Sequence, residues 1–205
     1  MKTGRRSFTL AVSAKSKPKA AFRDSQISNF HTFCSWGGRG SQAVPWKGPA
    51  SAKDRFLVGI VGNLAPGGDG FADHLARFRK NPLYRGFRIP GSGLTKKLEQ
   101  PEFVSDMKRV IDADLEVDIN GGPAMLPEIA ALVRKLPELR IVINHVANVR
   151  NDGKTLPDEW LQGMRDCSQG KQVFCKVSAI AEGATVRDSD GKASTDPGYY
   201  APLLE

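Results

Sequence analysis

Leu115-Glu116-Val117-Asp118-Ile119 runs into Gly121-Gly122-Pro123, and an apolar stripe follows at Leu126, Ile129, Ala130, Val133 and Leu136 before Arg140-Ile141-Val142-Ile143-Asn144-His145. This stretch reads as a complete strand–helix–strand unit. The two flanking runs are short and apolar, as strands are, and the stripe between them has helical spacing. Pro123 stands where the first turn of a helix tolerates proline.

The same unit extends in both directions. Upstream, Phe56-Leu57-Val58-Gly59-Ile60-Val61 is a continuous apolar run ended by Gly62-Asn63, which suits a strand buried on both faces. Gly67-Gly68-Asp69-Gly70 breaks the chain. A helix then carries Phe71, Leu75 and Phe78 until Asn81-Pro82 stops it. Gly86-Phe87-Arg88-Ile89 is a second short strand cut by Pro90, and Gly91, Ser92 and Gly93 form a loop. Pro101 opens a helix with Phe103, Met107, Val110 and Ile111 on its core face. Downstream, Asn151-Asp152-Gly153 leads to a helix at about 158–167 with Trp160, Leu161 and Met164 inward. Gln172-Val173-Phe174-Cys175-Lys176-Val177-Ser178 is a fifth strand, and Tyr199 to Leu204 begins another helix.

Strands starting near 56, 86, 115, 140 and 172 alternate with amphipathic helices, so the fold class is α/β with parallel β-α units and right-handed crossovers. An open doubly wound sheet and a closed eight-stranded barrel both use this unit. The glycine cluster at 67–70 lacks the G-x-G-x-x-G spacing and a phosphate-binding lysine, so it gives no support to nucleotide binding. The unit length fits a barrel, of which five strands make a part.

The formal charge of +8 is unevenly distributed. Residues 1–55 hold 11 basic and 2 acidic side chains, whereas residues 56–205 hold 19 and 20. The expected organisation is a basic, largely disordered leading segment, 1–55, and a neutral β/α body, 56–205. The leading segment has no sustained period and buries too little apolar surface to offset ordering entropy. Arg5-Arg6-Ser7-Phe8 ahead of a short apolar stretch resembles a twin-arginine export signal, the alternative to a cytoplasmic location. Lys15, Lys17, Lys19 and Arg23 are followed by no nucleic-acid-binding motif, and Phe22, Phe30, Phe33 and Trp36 are not spaced as a stacking platform. Nucleic acid is therefore not the expected partner. No apolar stretch is long enough to span a membrane. The three cysteines, Cys34, Cys167 and Cys175, lack both disulfide-framework and metal-ligand spacing.

In either architecture ligands approach the C-terminal strand ends. Those ends carry Asn63, Arg88, Asp118 with Asn120, Asn144 with His145, and Lys176 with Ser178. His145 directly follows an apolar strand. It is suited to metal coordination, general acid/base work or carbonyl polarisation, and the plainer alternative is a hydrogen-bonded structural histidine. Arg88 suits a substrate carboxylate or phosphate, or a rim salt bridge. Lys176 lies in an apolar strand where desolvation lowers an ammonium pKa. If it points into a barrel, so do Phe174 and Ser178, with Cys175 and Val177 toward the helices. Asp118 reads as an ion-pair partner or substrate contact. His74 is expected on a solvent face, His31 forms no His-x-His pair, and Cys167 and Cys175 read as unreactive thiols.

Taken in order, Asn81-Pro82-Leu83-Tyr84-Arg85-Gly86-Phe87-Arg88, Leu115-Glu116-Val117-Asp118, Leu126-Pro127-Glu128-Ile129, Pro137 to His145 and Val173-Phe174-Cys175-Lys176-Val177-Ser178-Ala179 resemble the amidohydrolase-2 group of metal-dependent hydrolases over roughly residues 56–205. The resemblance implies a TIM barrel, here an incomplete (β/α)8 barrel of about five units. It implies hydrolysis of a lactone, ester or amide-like bond in a small organic or sugar-derived substrate. His145 matches the histidine after the fifth barrel strand, a metal ligand or polarising group, with zinc the leading divalent metal and some relatives metal-independent. Lys176 would stand beside it in catalysis, while Arg88, Asn120 and Ser178 would contact substrate. The family's first-strand His-x-His pair and last-strand Asp do not occur here, so the metal site is incomplete and a truncated or inactive chain is one expectation. A decarboxylase or sugar-isomerase-like barrel enzyme is the alternative. A further one is a non-enzymatic half-barrel with a basic partner-binding tail, self-associating through open strand edges.

Overall fold

The computed structural model describes residues 31–32 and 59–204. The expectations for the leading segment lie outside the described residues, except that the backbone of His31–Thr32 forms a two-residue strand, β1. Five further strands follow: β2 (Ile60–Asn63), β3 (Tyr84–Pro90), β4 (Glu116–Asn120), β5 (Arg140–Ile143) and β6 (Val173–Cys175). Helices α1 (Phe71–Phe78), α2 (Leu94–Lys97), α3 (Pro101–Asp112), α4 (Leu126–Lys135) and α5 (Asp158–Cys167) alternate with them. No helix among the described residues is long and apolar enough to cross a membrane.

The sheet order is β1-β2-β3-β4-β5-β6. β1 lies antiparallel to β2, and each later pair is parallel. A doubly wound sheet reverses its strand order at a switch point. Here the order follows the chain without reversal, as it does when a barrel winds round, so the choice between the two architectures falls to the barrel.

Strand alternation separates the two faces of the sheet. Phe87, Ile89, Val117, Ile119, Ile141, Ile143 and Cys175 belong to one buried cluster with Phe103, Met107, Val110, Leu126, Ile129 and Leu132 from the helices. At about 25 cal/mol per Å² of apolar surface, this shared helix-side core is what holds the β-α units together. On the other face the register aligns Asn63 with Arg88, Arg88 with Asp118, Asp118 with Val142, and Val142 with Phe174. Chemistry-bearing side chains therefore collect on the face away from the helices. Gly86 lies on that face one layer down, where a Cβ would stand 1.9 Å from the Glu116 carbonyl oxygen.

Four features differ from the sequence reading. β2 continues through Gly62-Asn63, because both residues pair with β3. The loop after Pro90 contains α2, whose first amides, Gly93 N–H and Thr95 N–H, donate to the Glu128 carboxylate of α4 at 3.1 and 3.0 Å. That cap comes from 33 to 35 residues away and leaves no local signal. β6 stops at Cys175, so Lys176 and Ser178 lie just past the strand rather than within it. The expected last helix is a 3₁₀ segment, Pro197–Leu203.

Candidate active site

Asp118 is the hub of the inner face. It is wholly buried. Its Oδ2 accepts from Lys176 Nζ at 2.5 Å and from Arg88 Nη2 at 3.3 Å. A buried carboxylate needs compensating charge, and two cations, Arg88 on β3 and Lys176 just beyond β6, supply it. Lys176 is two strands away from Asp118, which its position just beyond β6 allows. Burial lowers the Lys176 ammonium below its ordinary value, and Asp118 opposes that shift. Glu116, one layer below, is raised by burial and by the Asp118 charge.

His145 opens an unusual turn. His145, Val146, Ala147 and Asn148 have φ of 55°, 45°, 56° and 46°, a single left-handed turn with no glycine in it. Left-handed backbone costs roughly 1–2 kcal/mol per L-residue, so the surroundings must hold it. They do so through directed bonds. Val146 N–H donates to the Lys176 carbonyl at 3.0 Å, and Ala147 N–H to the Asn144 carbonyl at 2.9 Å. Trp160 Nε1 donates to the Val146 carbonyl at 2.8 Å, and Asn148 Nδ2 to the Gly121 carbonyl at 2.8 Å.

The turn presents His145 to Ser178, with Nδ1 2.8 Å from Oγ. The imidazole is pushed below its ordinary 6.5 by burial first, then by the Arg88 and Lys176 charges, while Glu182 and Asp118 act in the opposite sense. This favours the neutral form of the ring. The neutral ring is able to accept a proton.

Of the five residues expected at the site, Lys176 and Arg88 meet on Asp118, and His145 meets Ser178. Asn120 stands apart on the exposed rim, where its Oδ1 accepts from Asn148 Nδ2 at 3.3 Å. Phe174 shares the inner face with Lys176, while Cys175, Val173 and Val177 pack toward the helices, as alternation requires. His74 is exposed. Burial pushes the thiols of Cys167 and Cys175 up to about 12 and about 11, which leaves both unreactive.

Two features escape the sequence. Asn144 is wholly buried, yet neither its Oδ1 nor its Nδ2 has a protein partner. Asp118 Oδ1 and Arg88 Nε are buried and unpaired in the same way. Buried polar atoms are normally satisfied, so these atoms hold unmet hydrogen-bonding capacity on the inner face. Trp160 reads in sequence as a core residue on α5. Its indole N–H also braces the histidine turn, a role that helical spacing cannot reveal.

A resident divalent metal needs three or four ligands. Among the described residues no three His, Cys, Asp or Glu side chains are grouped to hold one. The charges of Arg88 and Lys176 act on His145 against those of Glu182 and Asp118, and Asp118 is engaged by two cations. The described residues alone therefore do not complete such a ligand set. A groove of about 650 Å³ lined by Val133, Arg134, Glu138, Asp166 and Lys171 lies near the beginnings of β5 and β6, at the opposite end from these groups.

Comparison with known proteins agrees with the fold. L-fucono-1,5-lactonase of Burkholderia ambifaria is 26% identical over 137 residues, 63% of this chain and 45% of that protein. The uncharacterized protein y4mH of Sinorhizobium fredii is 25% identical over 148 residues, 67% of this chain and 50% of that protein. The chain thus spans about half the length of these curated relatives. A solved amidohydrolase of Burkholderia multivorans shares the fold in two crystal forms. The form with bound HEPES gives a TM-score of 0.58 at 18% identity, covering 68% of this chain and 52% of that one. The form with bound zinc gives 0.58 at 20%, covering 69% and 52%. The family model described as Amidohydrolase matches residues 49–205, and the chain belongs to that amidohydrolase family.

Proposed function

We propose that the protein hydrolyses a lactone, ester or amide-like bond in a small organic or sugar-derived substrate, at the strand ends that carry Arg88, Asp118, His145, Lys176 and Ser178. The observation that carries this reading is the imidazole of His145, 2.8 Å from the Ser178 hydroxyl and within the field of the two cations that meet on Asp118. Acyl transfer needs a base for the attacking oxygen and positive charge for the oxyanion that forms. His145 takes the proton of the attacking oxygen. Lys176 and Arg88 stabilise the negative charge on the carbonyl oxygen, and Asp118 fixes both cations. Asn120 on the rim and Ser178 beside the imidazole contact the substrate. The lactonase activity named for the Burkholderia ambifaria relative supports a cyclic ester as the first substrate to try.

The test is a panel of aldono- and aryl lactones, with ring opening followed by acid release in weak buffer. Turnover above the buffer rate, lost in Lys176→Met with the fold intact by circular dichroism, is the expected outcome. Wild-type rates in Lys176→Met would remove that residue from the mechanism.

A further inference from the structure

We propose that Tyr199 is a positioning residue for His145: its hydroxyl clasps the loop after β5 to the segment after β6, and this clasp holds the imidazole of His145 against Ser178. The clasp stands on its own bonds, and its effect on turnover rests on the hydrolase reading.

Loops at the C-terminal strand ends carry function on a rigid sheet, and directed bonds must hold them in place. His145 opens the loop between β5 and α5, and Ser178 lies at the start of the segment between β6 and the 3₁₀ turn at Pro197–Leu203. The two run side by side beyond the sheet. Asn151 pairs in parallel with Ala184, Asn151 N–H donates to the Gly183 carbonyl at 2.9 Å, and Thr185 N–H donates to the Asn151 carbonyl at 2.8 Å. The approach is so close that a Cβ on Gly183 would stand 2.4 Å from the Val149 carbonyl oxygen. His145 and Ser178 meet at 2.8 Å at the strand end of this joint.

Tyr199 fastens the joint from a third segment. Its O–H donates to the Asn151 carbonyl at 2.7 Å and accepts from Val186 N–H at 3.2 Å, so one oxygen bonds both loops. Thr185 Oγ1 also donates to that carbonyl at 3.1 Å, so three donors converge on an oxygen with two lone pairs. Asn151 itself is wholly buried, and its Oδ1 accepts from Gly153 N–H at 2.8 Å. Gly153, with φ 81°, makes room for the Tyr199 ring, because a Cβ there would stand 2.5 Å from it. Buried Tyr200 seats the ring further, edge-on with centroids 5.0 Å apart, while its own O–H donates to the Ser194 carbonyl at 2.8 Å. Tyr199 therefore acts on His145 through the two loops. A slip of about 1 Å between them takes the His145–Ser178 contact past hydrogen-bond range, and misplacement on that scale slows catalysis steeply.

The experiment uses the full 1–205 chain as wild type, Tyr199→Phe, Gly153→Ala and Ser178→Ala, with the fold checked by circular dichroism. Tyr199→Phe keeps the ring over Gly153 and removes both hydroxyl bonds. Gly153→Ala pushes a methyl group into the ring and so perturbs the clasp from the other side. The readouts are hydrogen exchange at the Val186 amide, ¹⁵N shifts of the His145 imidazole at fixed pH, and lactone ring opening. Both clasp variants should exchange Val186 about 10-fold faster than wild type. The His145 Nδ1 signal should move in the direction in which Ser178→Ala moves it. For lactone opening, kcat should fall by about 10-fold or more while KM stays within about 3-fold. Faster exchange with an unmoved His145 signal makes Tyr199 a structural tie only and overturns the proposal. Unchanged exchange at Val186, or an unchanged kcat where wild type is active, overturns it as well. A moved His145 signal in a chain whose wild type opens no lactone supports the clasp and counts against the lactone reading.

Discussion

Replacing Asp118 by Asn keeps the size of the side chain and removes the one charge on which Lys176 and Arg88 meet. The Lys176 side chain is 11% exposed and that of Arg88 21%, so the lysine suffers more from the loss. Breaking a buried ion pair by removing one partner costs about 3–5 kcal/mol, because the remaining charge stays desolvated. Partial exposure places this case near the lower end, about 3 kcal/mol. For a chain of this size that corresponds to a fall in Tm of roughly 6–12 °C. The pH dependence gives a second reading. Burial already lowers the Lys176 ammonium, and without Asp118 it falls further from its ordinary 10.5. The unfolded chain then binds more protons than the folded one, so the variant gains stability relative to wild type as pH rises. Urea unfolding at pH 7 and pH 10 should show a gap that narrows at the higher pH. Lys176→Met added to Asp118→Asn should cost less than the sum of the two changes, with a coupling of about 1–3 kcal/mol. A loss under about 1 kcal/mol at pH 7, or a gap that does not change with pH, would refute the hub.

Because burial, Arg88 and Lys176 all lower His145, its imidazole should titrate below 6.5 by NMR, and Arg88→Gln should move the midpoint upward. A folded-state value below the unfolded one means that this stability is present above pH 6.5 and is lost as pH falls through the folded midpoint. Trp160→Phe leaves the buried Val146 carbonyl without its donor, and urea unfolding should record a loss of about 1–3 kcal/mol. Gly86→Ala drives a methyl group into the Glu116 carbonyl, and the expected outcome is a Tm drop corresponding to at least about 2 kcal/mol, or failure to fold. Glu128→Ala uncaps α2, and faster hydrogen exchange at the Gly93 and Thr95 amides is the check.

The strand–helix alternation was legible because it rests on short-range apolar periodicity. Helices α1, α3 and α5 lie where Phe71, Phe103 and Trp160 place them. The order of the strands was not, since an open sheet and a barrel use the same unit. Only the pairing of Asn63, Arg88, Asp118, Val142 and Phe174 across the sheet separates them. At the site, the residue types at the strand ends were legible, while alternation tied the direction of Ser178 to that of Lys176 without fixing either, and both lie beyond the end of β6. Two things did not follow. The 2.8 Å pairing of His145 with Ser178 depends on a left-handed turn in His145-Val146-Ala147-Asn148, where no glycine announces one. Asp118 as the meeting point of two cations depends on parallel register, which sequence spacing leaves open. Both are contacts between distant segments, and they are fixed by packing rather than by local propensity.

The central claim is that the imidazole of His145, beside Ser178 and two cations, is the base of a hydrolytic site. The most direct measurement is the initial rate of lactone opening by wild type and by His145→Gln, on the full 1–205 chain, with the fold of both checked by circular dichroism and thermal melting. The account predicts a folded variant whose rate falls by at least 100-fold, toward the buffer rate. A folded His145→Gln chain that opens lactones as fast as wild type would contradict it.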